Sequence, residues 1–568
     1  MTALLLVLTP ALPALMAALA LFPATQDVVR RTAFLAAIPG LLAAWLLPSD
    51  APIVLSDVLL GLRLGLDEPA RPFLLAAALL WLLAGLHARV FLPVNPRTPR
   101  FMSLFLLSMS GNLGLLLAQD VVGFYLAFAQ MSLAAYVLVV HDETAKAQRA
   151  GSVYIRLAVI GETCLLLGFM LAASKAQAYE VTALRAALLD GETAPLAVTL
   201  LLVGFGIKLG LVPLHVWLPL AHPAAPSPAS AVLSGAMIKA GLFGLMVFLP
   251  FGDGALTGLG VVLVAIGLFT AFFGVAAGLA QADAKTVLAY SSLSQMGVIT
   301  SGLGVAALDP AAAPAILKAA GLYALHHGLV KGGLFLAVGA RQRAADQGAW
   351  RPVVTVAVAL GALTLAGLPL TSGALAKYGL KAAVESGTGS GIAALTLALA
   401  LSATATTLLV LHFLQTFQNV ATKAESRSPG TSILLLTSFA ALAAGQGLMW
   451  ALAPEPWRAA ASSWAGTVDA AWPLLLGAVL AALAVASKLQ ERWPDIPEGD
   501  VLVPARRAFQ RVVAAAGDPW RRRQRWLGPR LRLELPEPAP RLSLGDPQRQ
   551  GALAVVSILA LLVALLFA

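Results

Sequence analysis

Residues 197–219 read Ala-Val-Thr-Leu-Leu-Leu-Val-Gly-Phe-Gly-Ile-Lys-Leu-Gly-Leu-Val-Pro-Leu-His-Val-Trp-Leu-Pro. The stretch is long and apolar enough to cross a bilayer, which takes about 20 residues of helix. It nevertheless carries Lys208 in its interior and Pro213 just beyond. An amine at that depth costs several kcal/mol unless it faces protein or water. A proline there breaks the helical hydrogen-bond ladder. Lysine and proline together predict a transmembrane helix that is interrupted partway and lined by other helices.

The rest of the chain extends this reading. Of 568 residues, 59% are hydrophobic and only 12% charged, about half the charge of a soluble domain. Apolar alternation at strand length is missing, so the expected fold is an all-α polytopic membrane protein and not a barrel. About 14–16 transmembrane helices are expected. The candidate spans are 2–22, 29–47, 72–93, 101–119, 121–140, 153–174, 197–219, 228–250, 255–280, 287–304, 313–340, 353–383, 390–416, 431–452, 470–487 and 551–568. The single cysteine, Cys164, lies in an apolar run and reads as a small buried hydrophobe. One cysteine excludes a disulfide framework, a cysteine-ligated zinc site and an iron–sulfur cluster within the chain. No cofactor and no metal site are expected.

The net charge of +10 is read as basic cytoplasmic loops and not as nucleic-acid binding. The first apolar run has no basic residue before it, and Arg30 and Arg31 follow it. A retained first helix with its N-terminus outside is expected. Alternating from there, the inner loops hold Arg97, Arg100, Lys146, Arg149, Lys285, Arg341, Arg343, Lys423 and Arg427. This is the bias of a bacterial inner-membrane protein. Residues 488–550 are basic and proline-rich, with Arg521, Arg522, Arg523 and Arg525 beside Trp520 and Trp526. They are expected on the cytoplasmic side. Two readings stand: an amphipathic arm whose 506–532 stretch grips anionic lipid or a partner subunit, or a solvated connector to the last span.

Several titratable groups lie deep in apolar runs: Glu162, Lys208, Lys239, Lys331 after His326 and His327, and Lys377 after the break-prone run Gly367-Leu-Pro369-Leu-Thr-Ser-Gly373. A desolvated lysine changes its proton affinity readily when a carboxylate approaches or leaves. Histidine titrates near neutrality and can bridge water chains. Any one of these lysines could be a snorkelling or structurally paired charge. Four of them with an acid and histidines point to proton transfer. His215 and His222 flank the turn after Pro213, where each could instead cap backbone groups. Gly204, Gly206 and Gly210 read as helix-packing positions, because no strand precedes them.

Four ordered blocks carry a family resemblance. Phe205–Pro223 with Ala225-Pro-Ser-Pro-Ala-Ser230, then Asp283–Gly297, His327–Leu336 and Gly367–Lys377, resemble the antiporter-like subunits of respiratory complex I, of membrane-bound hydrogenase and formate hydrogenlyase, and of Mrp antiporters. The resemblance implies two inverted five-helix repeats, each with a broken helix. It divides the chain into N-terminal transmembrane helices (1–100), a first repeat (101–250), a second repeat (251–420), C-terminal transmembrane helices (421–487), the basic connector (488–550) and a final helix (551–568). It places Lys208 and Lys377 on the two broken helices, with breaks at Pro213 and at Gly367 and Pro369. Lys239, His327 and Lys331 join them along a hydrated axis, and Gln130, His215, His222 and His326 support it.

One position departs from the pattern. The family usually has a glutamate in the fifth span as partner of the first lysine, and Gln130 stands at the matching position. Glutamine cannot titrate. Either Glu162 supplies the carboxylate, or proton uptake in this half is altered or lost. Leu220, where complex I subunits usually have aspartate, resembles the hydrogenase branch. The resemblance implies a proton-translocating subunit of a redox-driven, multi-subunit membrane complex, with other membrane subunits as partners and no redox centre of its own. A subunit of a multi-subunit Na+/H+ antiporter and a non-conducting scaffold are the alternatives.

Overall fold

Residues 1–49, 52–189, 191–253, 256–343, 351–421, 430–487 and 496–497 are described by the structure, a computed structural model. The expected arm or connector at 488–550, its 506–532 patch and the final span at 551–568 lie almost wholly outside the described residues.

The chain is helical nearly throughout. It opens with α1 (Thr2–Leu19), then α2 (Gln26–Thr32), which runs through a 3-10 turn into α3 (Ile38–Leu46). A hairpin of β1 (Ile53–Leu55) and β2 (Leu62–Leu64) precedes α4 (Arg71–Phe91), α5 (Thr98–Leu115), α6 (Val121–Val139) and α7 (Ala145–Ala176). Next come the short α8 (Val181–Ala187), α9 (Ala194–Leu209) and α10 (Trp217–Ala224). The segments α11 (Ser227–Val232) and α12 (Ile238–Phe248) are joined through a π turn at Leu233–Met237. The second half comprises α13 (Thr257–Leu279), α14 (Ala284–Leu308), α15 (Ala313–Arg343), α16 (Arg351–Ala366), α17 (Ser372–Glu385), α18 (Ile392–Gln418), α19 (Thr431–Leu452), α20 (Glu455–Ser462) and α21 (Trp464–Ala486).

The helix starts follow from local chemistry. Asp120, Thr144, Asp283 and Ser463 each accept a hydrogen bond from a backbone N–H in the first turn of α6, α7, α14 and α21, which satisfies donors that a helix start leaves free. Among the described residues, ten helical segments are long and apolar enough to cross a membrane. The first fifteen expected spans all fall on helical segments. The hairpin, α8 and α20 are additions that no apolar run signalled.

Burial shows the solvent for which the fold is built. α14 and α15 are buried along almost their whole lengths, serines, histidines and lysine included. The outer helices instead expose Leu475, Leu476, Val479 and Leu483 of α21, Val159, Ile160, Leu166 and Leu167 of α7, and Val261 and Phe269 of α13. A polar interior inside an apolar surface is the reverse of a water-soluble protein.

Loop contacts sort into two faces. On one, Arg63 pairs with Glu180, Arg185 with Asp253, and Lys381 with Asp469, while Thr388 donates to Asp309. On the other, Arg97 and Arg100 pair with Glu143, Ser227 meets Gln342, Arg341 meets Gln418, and His412 meets Gln281. These pairs keep to one set or the other, as consecutive crossings require. The second face also carries Arg30, Arg31, Lys146 and Arg149.

Candidate functional site

The two helix breaks are built alike. At the first, α9 ends on Gly210, whose φ is +78°. The Leu211 N–H reaches the Gly206 carbonyl at 2.9 Å and the Gly210 N–H reaches Ile207 at 3.2 Å. At the second, α16 ends before Gly367, with φ of +100°. The Leu368 N–H reaches Leu363 at 3.2 Å and the Gly367 N–H reaches Thr364 at 3.0 Å. Both are Schellman motifs, in which a left-handed glycine ends the helix. Proline follows each, at 213 and at 369, and prevents resumption for several residues.

Each break holds a lysine at the negative end of a half-helix. Lys208 belongs to the last turn of α9. Lys377 lies on the far side of its break, in α17, but its stem reaches back to Gly367: a Cβ there would lie 2.9 Å from Lys377 Cδ. Helical side chains lean toward the N-terminus, which allows this reach. Unpaired carbonyls at a helix C-terminus favour a cation.

Lys208 is buried. Its Nζ donates to Ser132 Oγ at 2.8 Å and lies 5.5 Å from the centroid of the Phe128 ring and 5.8 Å from that of Tyr154. Glu162 lines the same cavity of about 20 Å3, interacts electrostatically with Lys208 and hydrogen-bonds Ser132. One carboxylate oxygen, Oε1, has no protein partner among the described residues. Gln130 does not join them. Phe128 and Ser132 are one turn apart on α6, so residue 130 points away, and its Nε2 donates to the Leu107 carbonyl of α5 at 3.0 Å. Ala129 flanks the face that addresses Lys208. Gly204 packs as expected: a Cβ there would lie 2.8 Å from the Gly161 carbonyl, so α9 and α7 are nearly in backbone contact, whereas Gly210, also read as a packing position, ends the helix instead.

A second, larger cluster occupies the centre. Lys239 Nζ donates to the Ser234 carbonyl inside the π turn, a geometry that frees carbonyls from the usual ladder. Ser234 Oγ meets Ser292 Oγ at 2.8 Å, Ser292 Oγ donates to the Leu288 carbonyl at 3.1 Å, and Lys331 Nζ donates to that same carbonyl at 2.8 Å. Lys239 and Lys331 thus anchor on the backbone of Ser234 and Leu288, and the Ser234–Ser292 hydroxyl pair lies between the two anchor points. His327 lies within electrostatic range of Lys239, Lys331, His326 and Lys377, with neither ring nitrogen bonded to protein among the described residues. His326 Nδ1 pairs with Ser372 Oγ at 2.8 Å, at the start of α17. His222 stacks on Phe335 at 4.8 Å and faces Lys285, Lys331 and Lys239. His215 meets the Phe273 ring edge to face, with centroids 5.2 Å apart.

The structure therefore gathers Lys239, His327, Lys331, Lys377, His326 and His222 in one group and sets Glu162 with Lys208 in another. Lys285 is a correction. Expected in an inner loop, it lies in the first turn of α14, is buried, and donates to the Ala225 carbonyl at 2.7 Å. The apolar run began too late to include it. Ser132, Ser234 and Ser292 also escaped the sequence reading, since serines in membrane helices are too common to single out. Among the described residues no group of histidines, cysteines and carboxylates could hold a metal ion.

A bundle of apolar-sided helices with two glycine-ended breaks and a line of buried amines defines a polytopic membrane protein of the ion-translocating class. Residues 118–402 match the family described as NADH:quinone oxidoreductase/Mrp antiporter, TM, and the chain belongs to that family. Hydrogenase-4 component B of Escherichia coli is 32% identical over 42% of this chain and 36% of its own length. NADH-quinone oxidoreductase subunit N of Desulforudis audaxviator is 30% identical over 56% of this chain and 66% of its own. Matches to the first of these relatives thus span well under two thirds of their length. The fold is shared with a chain of the Mrp complex from Dietzia, with a TM-score of 0.72, 23% identity and coverage of 92% of this chain and 61% of that one. It is shared as well with a chain of an archaeal membrane-bound sulfane sulfur reductase, with a TM-score of 0.64, 21% identity and coverage of 85% and 99%.

Proposed function

We propose that this chain is the proton-translocating, antiporter-like subunit of a multi-subunit, redox-driven membrane complex. The observation that carries the reading is the pair of buried titratable clusters, Glu162 with Lys208 at the first break and Lys239, His327, Lys331 and Lys377 reaching the second. Protons would pass among Glu162 and Lys208, then Lys239, His327 and Lys331, then Lys377. Buried ammonium groups without carboxylate partners are expensive to keep, and a fold that keeps several in line gains transport from them. Glu162 supplies the carboxylate that Gln130 does not. The likeness to hydrogenase-4 component B and to a quinone oxidoreductase subunit supports a redox-driven complex.

The arrangement fits a bacterial inner membrane. The face bearing Arg30, Arg31, Arg97 and Arg100 is taken as cytoplasmic, and the N-terminus as outside. The shared fold with an Mrp complex chain favours a second reading, a subunit of a multi-subunit Na+/H+ antiporter. In either case Lys208→Ala and Lys377→Ala, in the full chain within its assembled complex in proteoliposomes, should abolish proton flux. Unchanged flux in both would reject the path. Dependence of that flux on sodium would favour the antiporter reading.

A further inference from the structure

We propose that Asp469, latched by Lys381, is the group through which Lys377 exchanges protons with the protein surface. The proposal rests on the transport reading above and adds an exit to it.

A cavity of about 70 Å3 lies beside the second helix break, lined by Tyr323, Lys377, Tyr378, Lys381, Ser402 and Asp469 among others. One water needs roughly 10–15 Å3 on the same measure, so the space admits several. Among the described residues Asp469 is the only carboxylate in the lining. Lys377 and Lys381 are one turn apart on α17 and share a face. At the buried end, Lys377 Nζ has no hydrogen-bond partner among the described residues. Toward the surface, Lys381 Nζ donates to both carboxylate oxygens of Asp469, at 3.0 and 2.9 Å.

The exposures give the order from inside to outside. Lys381 and Asp469 side chains are 28% and 43% exposed, whereas the Lys377 amine is sealed. The pair stands at the cavity mouth, on the face where Thr388, just past α17, bonds Asp309. α20 adds Ala461 to the lining. A proton leaving Lys377 for this face meets the Lys381–Asp469 pair.

The chemistry balances. The Lys377 ammonium gives up one proton, which passes along water in the cavity to the Asp469 carboxylate. Lys377 becomes a neutral amine and Asp469 a neutral acid. Asp469 then releases the proton to surface water and closes again on Lys381. While the pair is shut, Lys381 holds Asp469 at the rim, away from Lys377.

A mere structural tether between α17 and α21 would give the same static contacts, so the test separates the two. Proton flux is measured under an imposed gradient in proteoliposomes holding the assembled complex with the full chain, and assembly is scored by native gel. Lys377→Ala should abolish flux. Asp469→Asn should lower it about a hundredfold, at the low end of what a positioned acid–base group contributes, with assembly intact. Asp469→Glu should restore it to within a few-fold of the parent. If Asp469→Asn fails to assemble, the paired variant Lys381→Met/Asp469→Met removes both charges together and should assemble but not conduct. Parental flux in Asp469→Asn or in the paired variant, with Lys377→Ala inactive, overturns the exit and leaves the path standing. Parental flux in Lys377→Ala overturns both.

Discussion

Replacing Glu162 by glutamine removes the carboxylate that faces Lys208 and keeps the shape of the side chain. Both groups address the hydroxyl of Ser132, which sets nitrogen and oxygen about 5 Å apart, two hydrogen-bond lengths. At an effective dielectric of about 20, opposite unit charges at that separation attract by about 3 kcal/mol. That energy corresponds to roughly a hundredfold in a rate or equilibrium that depends on it. The assay is a double-mutant cycle on proton flux with Glu162→Gln, Lys208→Met and the pair. The coupling expected is about 3 kcal/mol, so the double variant should be hardly slower than the worse single one. Simple additivity of the two single effects would refute the pairing. The geometry also offers a rescue. Ala129 flanks the face of α6 that meets Lys208, so Ala129→Glu in the Glu162→Gln background should recover flux, while Gln130→Glu should not, because residue 130 faces α5. Recovery by Gln130→Glu alone would show the face assignment to be wrong.

Other outcomes follow from the same contacts. Gly328→Ala should destabilise the protein by about 1–3 kcal/mol, the range for overpacking, because a Cβ there would lie 2.5 Å from the Gly235 carbonyl; thermal unfolding in detergent measures it, and an unchanged midpoint would contradict the contact of α15 with the π turn. Lys331→Met should leave folding nearly unchanged but stop flux, since methionine fills the space without a proton to pass. Asp309 accepts from Thr388 N–H and hydroxyl and from the Ala311 N–H, and these bonds, the Thr388 N–H first, hold its carboxyl below the usual carboxylate range. Its folded value is depressed, so its contribution is present above the unfolded value near 4 and is lost as pH falls through the folded one. Asp309→Asn should therefore flatten the acid limb of a stability–pH curve below about pH 4, and an unchanged limb would mean the bonds are not formed.

Much of the fold could be read from the residues because the bilayer imposes one length and one polarity on every span. The runs at 197–219 and 353–383 announced their breaks through Pro213, Gly367 and Pro369, and both breaks lie there, the first opening at Gly210, which had read as a packing position. Lysines in apolar runs are rare enough to single themselves out, which is why Lys208, Lys239, Lys331 and Lys377 were found. What the sequence concealed was direction around each helix. Gln130 bonds α5 while Phe128 and Ser132, two places to either side, meet Lys208, and nothing in a string of letters says which residues share that face. Lys285 looked like a loop residue because α14 starts on its Asp283 cap, ahead of the apolar run. Asp469 pairs with a residue 88 positions away, so neither partner could be read alone. The serines gain meaning only beside the π turn, which periodicity cannot foresee.

The most direct test is an electron cryo-microscopy map of the assembled complex at a resolution that shows waters. Ordered water should connect Lys239, His327, Lys331 and Lys377, bonded to both ring nitrogens of His327. A map with dry, close-packed protein around His327 and between Lys331 and Lys377 would contradict the account.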